Sequence, residues 1–169
     1  EAKAFMQNSP IKKKALFKTP PFNFGINFLY TNVMTHYPEN RHWGVDNMWT
    51  HAPLEDLMPY LKEIATTLPP APSHMLWLNW YPGVIQSDMA YSNEDNIYLA
   101  LYANWKNAAD TAQYGNWAVE MMQKMEHLST GIQLADEGLH KRTSPFLAEE
   151  NLKKIQEIRA NRDKAGIFH

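Results

Sequence analysis

Tyrosines, side-chain amides and an acidic pair are the residues here that could do chemistry, and most of them fall on alternate positions of strand-like runs. Met75-Leu76-Trp77-Leu78-Asn79-Trp80-Tyr81 and Ile97-Tyr98-Leu99-Ala100-Leu101-Tyr102-Ala103-Asn104-Trp105 each alternate with period two. One parity holds Leu76, Leu78, Ile97, Leu99, Leu101 and Ala103; the other holds Trp77, Asn79, Tyr81, Tyr98, Ala100, Tyr102 and Asn104. A sheet built from both runs is expected to have an aliphatic side for packing and an aromatic, amide-bearing side. Rings with a polar tip suit the wall of a ligand cavity, where contact area and a few placed polar groups decide what binds. Such rings also pack across strands for stability alone, and both readings stand. Tyr98 and Tyr102 are the candidate catalytic residues, since a tyrosine whose pKa is lowered from about 10 could deprotonate a substrate hydroxyl. Trp77, Asn79 and Asn104 are candidate substrate contacts.

Further along, Gly131 to Glu137 reads as a short strand with Gln133 and Ala135 on the aromatic-amide side, so Gln133 joins the candidate contacts. Asp136 and Glu137 are adjacent and point to opposite faces, so they cannot serve one substrate as a paired acid and base. Glu137, which shares the parity of Gln133, is the one of the two that could face the cavity. The histidines at 36, 42, 51, 74, 127, 140 and 169 show no HxH or HExxH spacing, and no metal site is expected. No nucleophile elbow or glycine-rich phosphate loop is present, and 7 glycines make a self-contained nucleotide site improbable. Met121, Met122 and Met125 read as helix core.

The elements that must position these residues follow from periodicity and punctuation. Residues 1 to 40, with Pro10, Pro20, Pro21 and Pro38 and an aromatic cluster without sustained period, read as an irregular arm. Residues 41 to 169 read as one α+β domain. A strand from Arg41 to His51 precedes a helix opened by Pro53, Glu55 and Asp56 and stopped by Pro69-Pro70. The strands at 74–81 and 97–105 come next, then a helix capped by Asp110 and Gln113 that runs to about Ser129, then the strand at 131–137. A charged helix carrying Leu152, Ile155 and Ile158 closes the chain. The order is βαββαβ, a ferredoxin-like antiparallel sheet with helices on its aliphatic face and the Trp77, Asn79, Tyr102, Asn104, Gln133 face left for something else to cover.

Composition narrows the function. The 169 residues are 44% hydrophobic, enough for one sizeable core. A net charge of -2 gives no footprint for nucleic acid. With no cysteine there is no disulfide, thiolate nucleophile or zinc-thiolate site. No stretch approaches the roughly 20 apolar residues of a membrane span. The opening Glu1-Ala2-Lys3-Ala4-Phe5-Met6-Gln7 lacks the basic start and apolar run of a signal peptide, so a soluble chain is expected, a fragment or separate subunit of something larger.

Residues 41 to 169 also resemble flavin-dependent oxidases of the vanillyl-alcohol-oxidase and berberine-bridge-enzyme type. Asn151-Leu152-Lys153-Lys154-Ile155-Gln156-Glu157-Ile158-Arg159-Ala160-Asn161-Arg162-Asp163-Lys164-Ala165-Gly166-Ile167-Phe168 is similar to that family's closing pattern, and Gly131-Ile132-Gln133-Leu134-Ala135-Asp136-Glu137 stands in the place of its Tyr-x-Asn-Tyr strand. Leu134 stands where many members keep a catalytic tyrosine, and Lys164 replaces the usual proline. The resemblance implies a substrate-binding domain whose sheet face roofs the isoalloxazine of FAD, with Gln133 and Phe168 at the cofactor. It also implies a separate FAD-binding domain or subunit as partner, a small organic substrate, and no activity for this chain alone. Two other readings are carried: a dimeric α+β barrel that binds haem or degrades an aromatic substrate, and an RNA-binding module.

Overall fold

A computed structural model of the chain describes residues 1–10, 12–14, 23–80, 89, 92–134 and 140–167. The chain divides into two units, Glu1–Pro38 and Glu39–His169. The first is not the irregular arm that its prolines suggest: it contains helices α1 (Ala2–Asn8) and α2 (Ile26–Met34). Helix α2 reads Ile-Asn-Phe-Leu-Tyr-Thr-Asn-Val-Met and buries no residue; Ile26, Leu29, Tyr30 and Val33 follow helical spacing, a period too short to stand out among the surrounding prolines.

The second unit is an α+β domain. Strand β1 (His42–Thr50) leads into α3 (Leu54–Thr67), with Pro53 as N-cap and Glu55 and Asp56 in the first turn, where the helix dipole favours them. Strands β2 (His74–Asn79) and β3 (Ile97–Trp105) follow. The sheet order is β1-β3-β2 and both pairings are antiparallel. The expected helix from Asp110 to Ser129 is broken into a 3₁₀ turn at Ala108–Asp110, α4 (Thr111–Tyr114), α5 (Trp117–Lys124) and a second 3₁₀ turn at Glu126–Leu128. Asp110 makes no side-chain cap. The break falls at Gly115, whose carbonyl lies where β1 passes closest: a Cβ on Gly44 would sit 3.1 Å from it. Helix α6 (Glu149–Arg162) ends the described chain.

One face of the sheet carries the core. Met48, Leu99, Leu101, Ala103 and Trp105 pack against Ile64 of α3 and against Trp117, Ala118, Met121 and Met122 of α5, with Met125 beyond. The register corrects the expected division of faces. Trp77 stands opposite Leu99 and Asn79 opposite Ile97, so both project to the helix side, and Trp77 packs against the core. Leu76 and Leu78 stand opposite Ala100 and Tyr98 and share the aromatic face. Every residue from 75 to 78 is apolar, so alternation within β2 distinguished two kinds of apolar side chain, and the partner strand decided which kind went inside. Nor is the aromatic face open: Trp49, Tyr98, Ala100, Tyr102 and Asn104 are all buried. Trp49 tilts against Tyr98 at 4.9 Å, and His74 stacks on Tyr102 at 4.6 Å.

Candidate ligand site at the edge of the first strand

Among the described residues, the expected fourth strand pairs with the sheet at one place. Trp49 donates its N–H to the Gly131 carbonyl at 2.7 Å and accepts from the Thr130 N–H at 2.9 Å, so two residues face one, as in a β-bulge. Gly131 has φ 148°, where L side chains are strained, and a Cβ there would lie 1.7 Å from Asn93 Nδ2. Beyond the bulge the ladder stops. In continued register Gln133 would pair with Asn47 through their backbones. Instead the Asn47 side-chain amide takes both partners: its Nδ2 donates to the Gln133 carbonyl at 3.0 Å, and its Oδ1 accepts the Gln133 N–H at 2.8 Å. An amide group thus acts as a spacer between β1 and the returning chain.

The backbone of Asn47 finds other partners. Its N–H goes to Asp46 Oδ1 at 2.8 Å, and its carbonyl accepts from Arg142 Nη2 at 2.6 Å. Arg142 also grips Asp46 as a fork, Nε to Oδ2 at 2.7 Å and Nη2 to Oδ1 at 2.9 Å. Its Nη1 donates to Ser144 Oγ at 2.6 Å and to Glu126. Burial works against the Arg142 charge, yet the Asp46 and Glu126 carboxylates outweigh it and hold the guanidinium above its ordinary pKa. Asp46 and Asn47 are 1% and 0% exposed. These two consecutive residues therefore anchor two separate segments, Gln133 through the amide and residues 142–144 through the guanidinium. Ile132 N–H, bonded to the Pro145 carbonyl at 2.8 Å, ties the two segments together.

Between these segments and α6 lies a cleft of about 750 Å³ lined by Gln133, Leu134, Phe146, Leu147, Leu152, Ile155, Gln156 and Arg159. Leu152, Ile155, Gln156 and Arg159 follow three- and four-residue spacing and so form one stripe of the helix. Asn151, four residues before Ile155 at the margin of this stripe, is buried and donates to the Met89 carbonyl at 2.5 Å, fixing the helix's rotation. The lining is apolar with amides and one guanidinium, which can hold and orient a molecule. It contains no histidine, tyrosine or paired carboxylates for proton transfer.

Of the residues singled out in the sequence, Gln133 lines this cleft. Trp77 and Asn79 lie on the helix side of the sheet, the Trp77 indole donating to Asn79 Oδ1 at 2.9 Å. Tyr98 and Tyr102, each 5% exposed, lie under the aromatic face away from the cleft. Asn104 shares that face and is buried, its amide without a hydrogen-bond partner among the described residues. Tyr81, Glu137 and Phe168 lie outside the described residues. Among the described residues no group of three His, Asp or Glu side chains could hold a metal ion. Sequence reasoning missed Asp46, Asn47 and Arg142, whose partners are distant in the chain, and Gln156 and Arg159, polar residues beside Leu152 and Ile155 on α6.

A second cluster was also missed. His51 Nδ1 lies 2.7 Å from Asp95 Oδ2, which also accepts from Thr130 Oγ1 at 2.9 Å, while Asp95 Oδ1 accepts the Asn96 N–H at 2.7 Å. Burial raises the Asp95 pKa, but the hydrogen bonds from His51, Asn96 and Thr130 prevail and hold its carboxyl below the ordinary value. The arrangement ties the end of β1 to the start of β3 and to the bulge. Compared with protein-family models, with curated proteins and with solved structures, the chain matches none of them.

Proposed function

We propose that this domain binds a small, largely apolar organic molecule in the cleft beside Gln133. The observation that supports this reading most is the treatment of Gln133 itself: both backbone groups are fixed by a buried amide, and the residue lines an apolar cleft. Ligand pockets typically enclose about 300–1,000 Å³, apolar with a few placed polar groups, and this cleft has that size and make-up. Leu134, Phe146, Leu147, Leu152 and Ile155 would supply contact area, and Gln133 and Gln156 would orient a carbonyl or hydroxyl.

A second reading, the substrate-binding part of a flavin-dependent oxidoreductase, is favoured by one point: the residue that the resemblance assigns to substrate and cofactor is the one on the cleft. A bound FAD, held mainly by a partner domain or subunit, would accept hydride from the substrate; this chain would orient the substrate and exclude water. The aromatic-wall version does not fit, because Tyr98, Tyr102 and Asn104 are buried and Trp77 and Asn79 face the helices. Buried rings at Tyr98 and Tyr102 likewise give no stacking platform to RNA and no open wall to a dimeric barrel. Among the described residues no helix is long and apolar enough to cross a membrane.

The test is a fluorescence titration with anilinonaphthalene sulfonate, an anionic apolar probe. Saturable binding that weakens in Gln133→Leu supports the cleft, and absence of saturable binding refutes it. Absorbance bands near about 370 and 450 nm in the purified protein support the flavin reading. A colourless protein that leaves the spectrum of added FAD unchanged counts against it.

A further inference from the structure

The cleft has a second lobe. A cavity of about 480 Å³ lined by Thr143, Ser144, Pro145, Phe146, Leu147, Glu149 and Leu152 adjoins the first, and the two share Phe146, Leu147 and Leu152. Together they follow one side of α6 from Glu149 to Arg159. At about 1.5 Å per helical residue, this is a path of roughly 15 Å. Its chemistry is graded along that length. Arg159 and Gln156 stand at one end, Leu152, Ile155, Phe146 and Leu147 in the middle, and Thr143 and Glu149 at the other end.

We propose that the two lobes form one groove for a single-chain aliphatic amphiphile with an anionic head, the head at the Arg159 and Gln156 end and the tail crossing Leu152 toward Thr143. This rests on the cleft being a ligand site and adds the class and direction of the ligand. A compact aromatic molecule would fill the first lobe and gain nothing from the second. A flexible chain uses both, because each methylene that enters removes further apolar surface from water. The Glu149 carboxylate disfavours an anionic head at its end, and the guanidinium of Arg159, which keeps a partner within the chain, adds positive charge at the other, so the ligand has one preferred direction. The cavities total a small-molecule volume, whereas a protein partner needs a contact patch of about 800 Å² on each side.

The experiment is displacement of anilinonaphthalene sulfonate from the full chain by saturated carboxylates of eight to sixteen carbons, below their micelle concentrations, with their methyl esters in parallel. Affinity is expected to rise about three- to fourfold per methylene until the groove is filled, the increment that burying one methylene predicts. Arg159→Gln is expected to weaken the carboxylates at least fivefold and leave the esters unchanged. Leu152→Arg, at a half-buried position, is expected to keep the eight-carbon ligand and abolish the gain from longer chains. If the probe binds but affinity is flat with chain length, the amphiphile assignment is overturned and the cleft survives. If Arg159→Gln weakens esters and acids alike, the assigned direction is overturned. If neither probe nor amphiphile binds, the cleft reading itself falls.

Discussion

Replacing Asn47 with leucine keeps the branched skeleton of the side chain but exchanges its amide for two bulkier methyl groups. The amide makes two hydrogen bonds of 2.8 and 3.0 Å to the Gln133 backbone from a position that is 0% exposed. Its loss leaves an N–H and a carbonyl without partners. Each would cost about 1–3 kcal/mol if fully buried. Gln133 is only half-buried, so water can recover part of this, and we expect about 3 kcal/mol in total from urea unfolding. For a domain of this size that corresponds to a melting temperature lower by about 10 °C, taking roughly 3–4 °C per kcal/mol. The local consequence is more diagnostic than the global one. Hydrogen exchange at the Gln133 amide should accelerate well beyond the factor explained by global destabilisation, and probe binding in the cleft should weaken about tenfold. Asn47→Asp keeps an acceptor for the Gln133 N–H but sets a carboxylate against the Gln133 carbonyl, so it should not rescue either readout. A stability loss below about 1 kcal/mol with unchanged exchange at Gln133 would refute the role assigned to the amide.

Other perturbations follow from the same contacts. Arg142→Met strands the buried Asp46 carboxylate and should cost about 3–5 kcal/mol in denaturant unfolding, whereas the double variant Asp46→Leu with Arg142→Met should recover much of that loss. Gly131→Ala places a methyl 1.7 Å from Asn93 Nδ2 at φ 148°, and should lower stability by about 3 kcal/mol or more, whereas Gly166→Ala, with nothing within 4 Å of the new Cβ, meets only the left-handed strain of its φ of 61° and should cost about 1–2 kcal/mol. Because the Asp95 carboxyl titrates below its ordinary value in the folded protein, the stability it adds is complete above about pH 4 and drains away as the pH falls through its lower folded pKa. Asp95→Asn should flatten that acid limb in a series of urea unfolding curves, and an unchanged limb would mean that other carboxylates produce it.

Elements whose signals are local could be read from the sequence. Strand β3 and helix α3 were placed to within a residue or two, because alternation and a three- and four-residue period are properties of neighbours in the chain. Features that depend on distant partners could not. The faces of β2 were set by register with β3, and the fourth strand was replaced by a side-chain amide reaching across 86 residues. Gln133 was picked out for its amide and does line the cleft, but its companions there come from α6, where Leu152 and Ile155 were read as packing on a charged surface helix. Gln156 and Arg159 belong to the same stripe, and polar residues on a stripe carry no signal until the groove beside them is known. The break at Gly115 was missed because the Asp110 and Gln113 capping pattern ahead of it was joined to the apolar run that begins at Trp117.

The ion pair on β1 has a further consequence for how the chain is made. Asp46 and Arg142 are 96 residues apart, so during synthesis the outer edge of β1 emerges long before the residue that satisfies it. The β1-β3-β2 sheet can assemble once residue 105 is out, but until residues 130–133 and 142–145 arrive the sheet presents open backbone groups at Asn47 and Trp49 to any other nascent chain. Closing so long a loop is slow relative to local pairing, which makes the docking of residues 130–133 and 142–145 a late event in folding. A chain truncated after about residue 128 would therefore keep most of its apolar core and still aggregate through an unguarded strand.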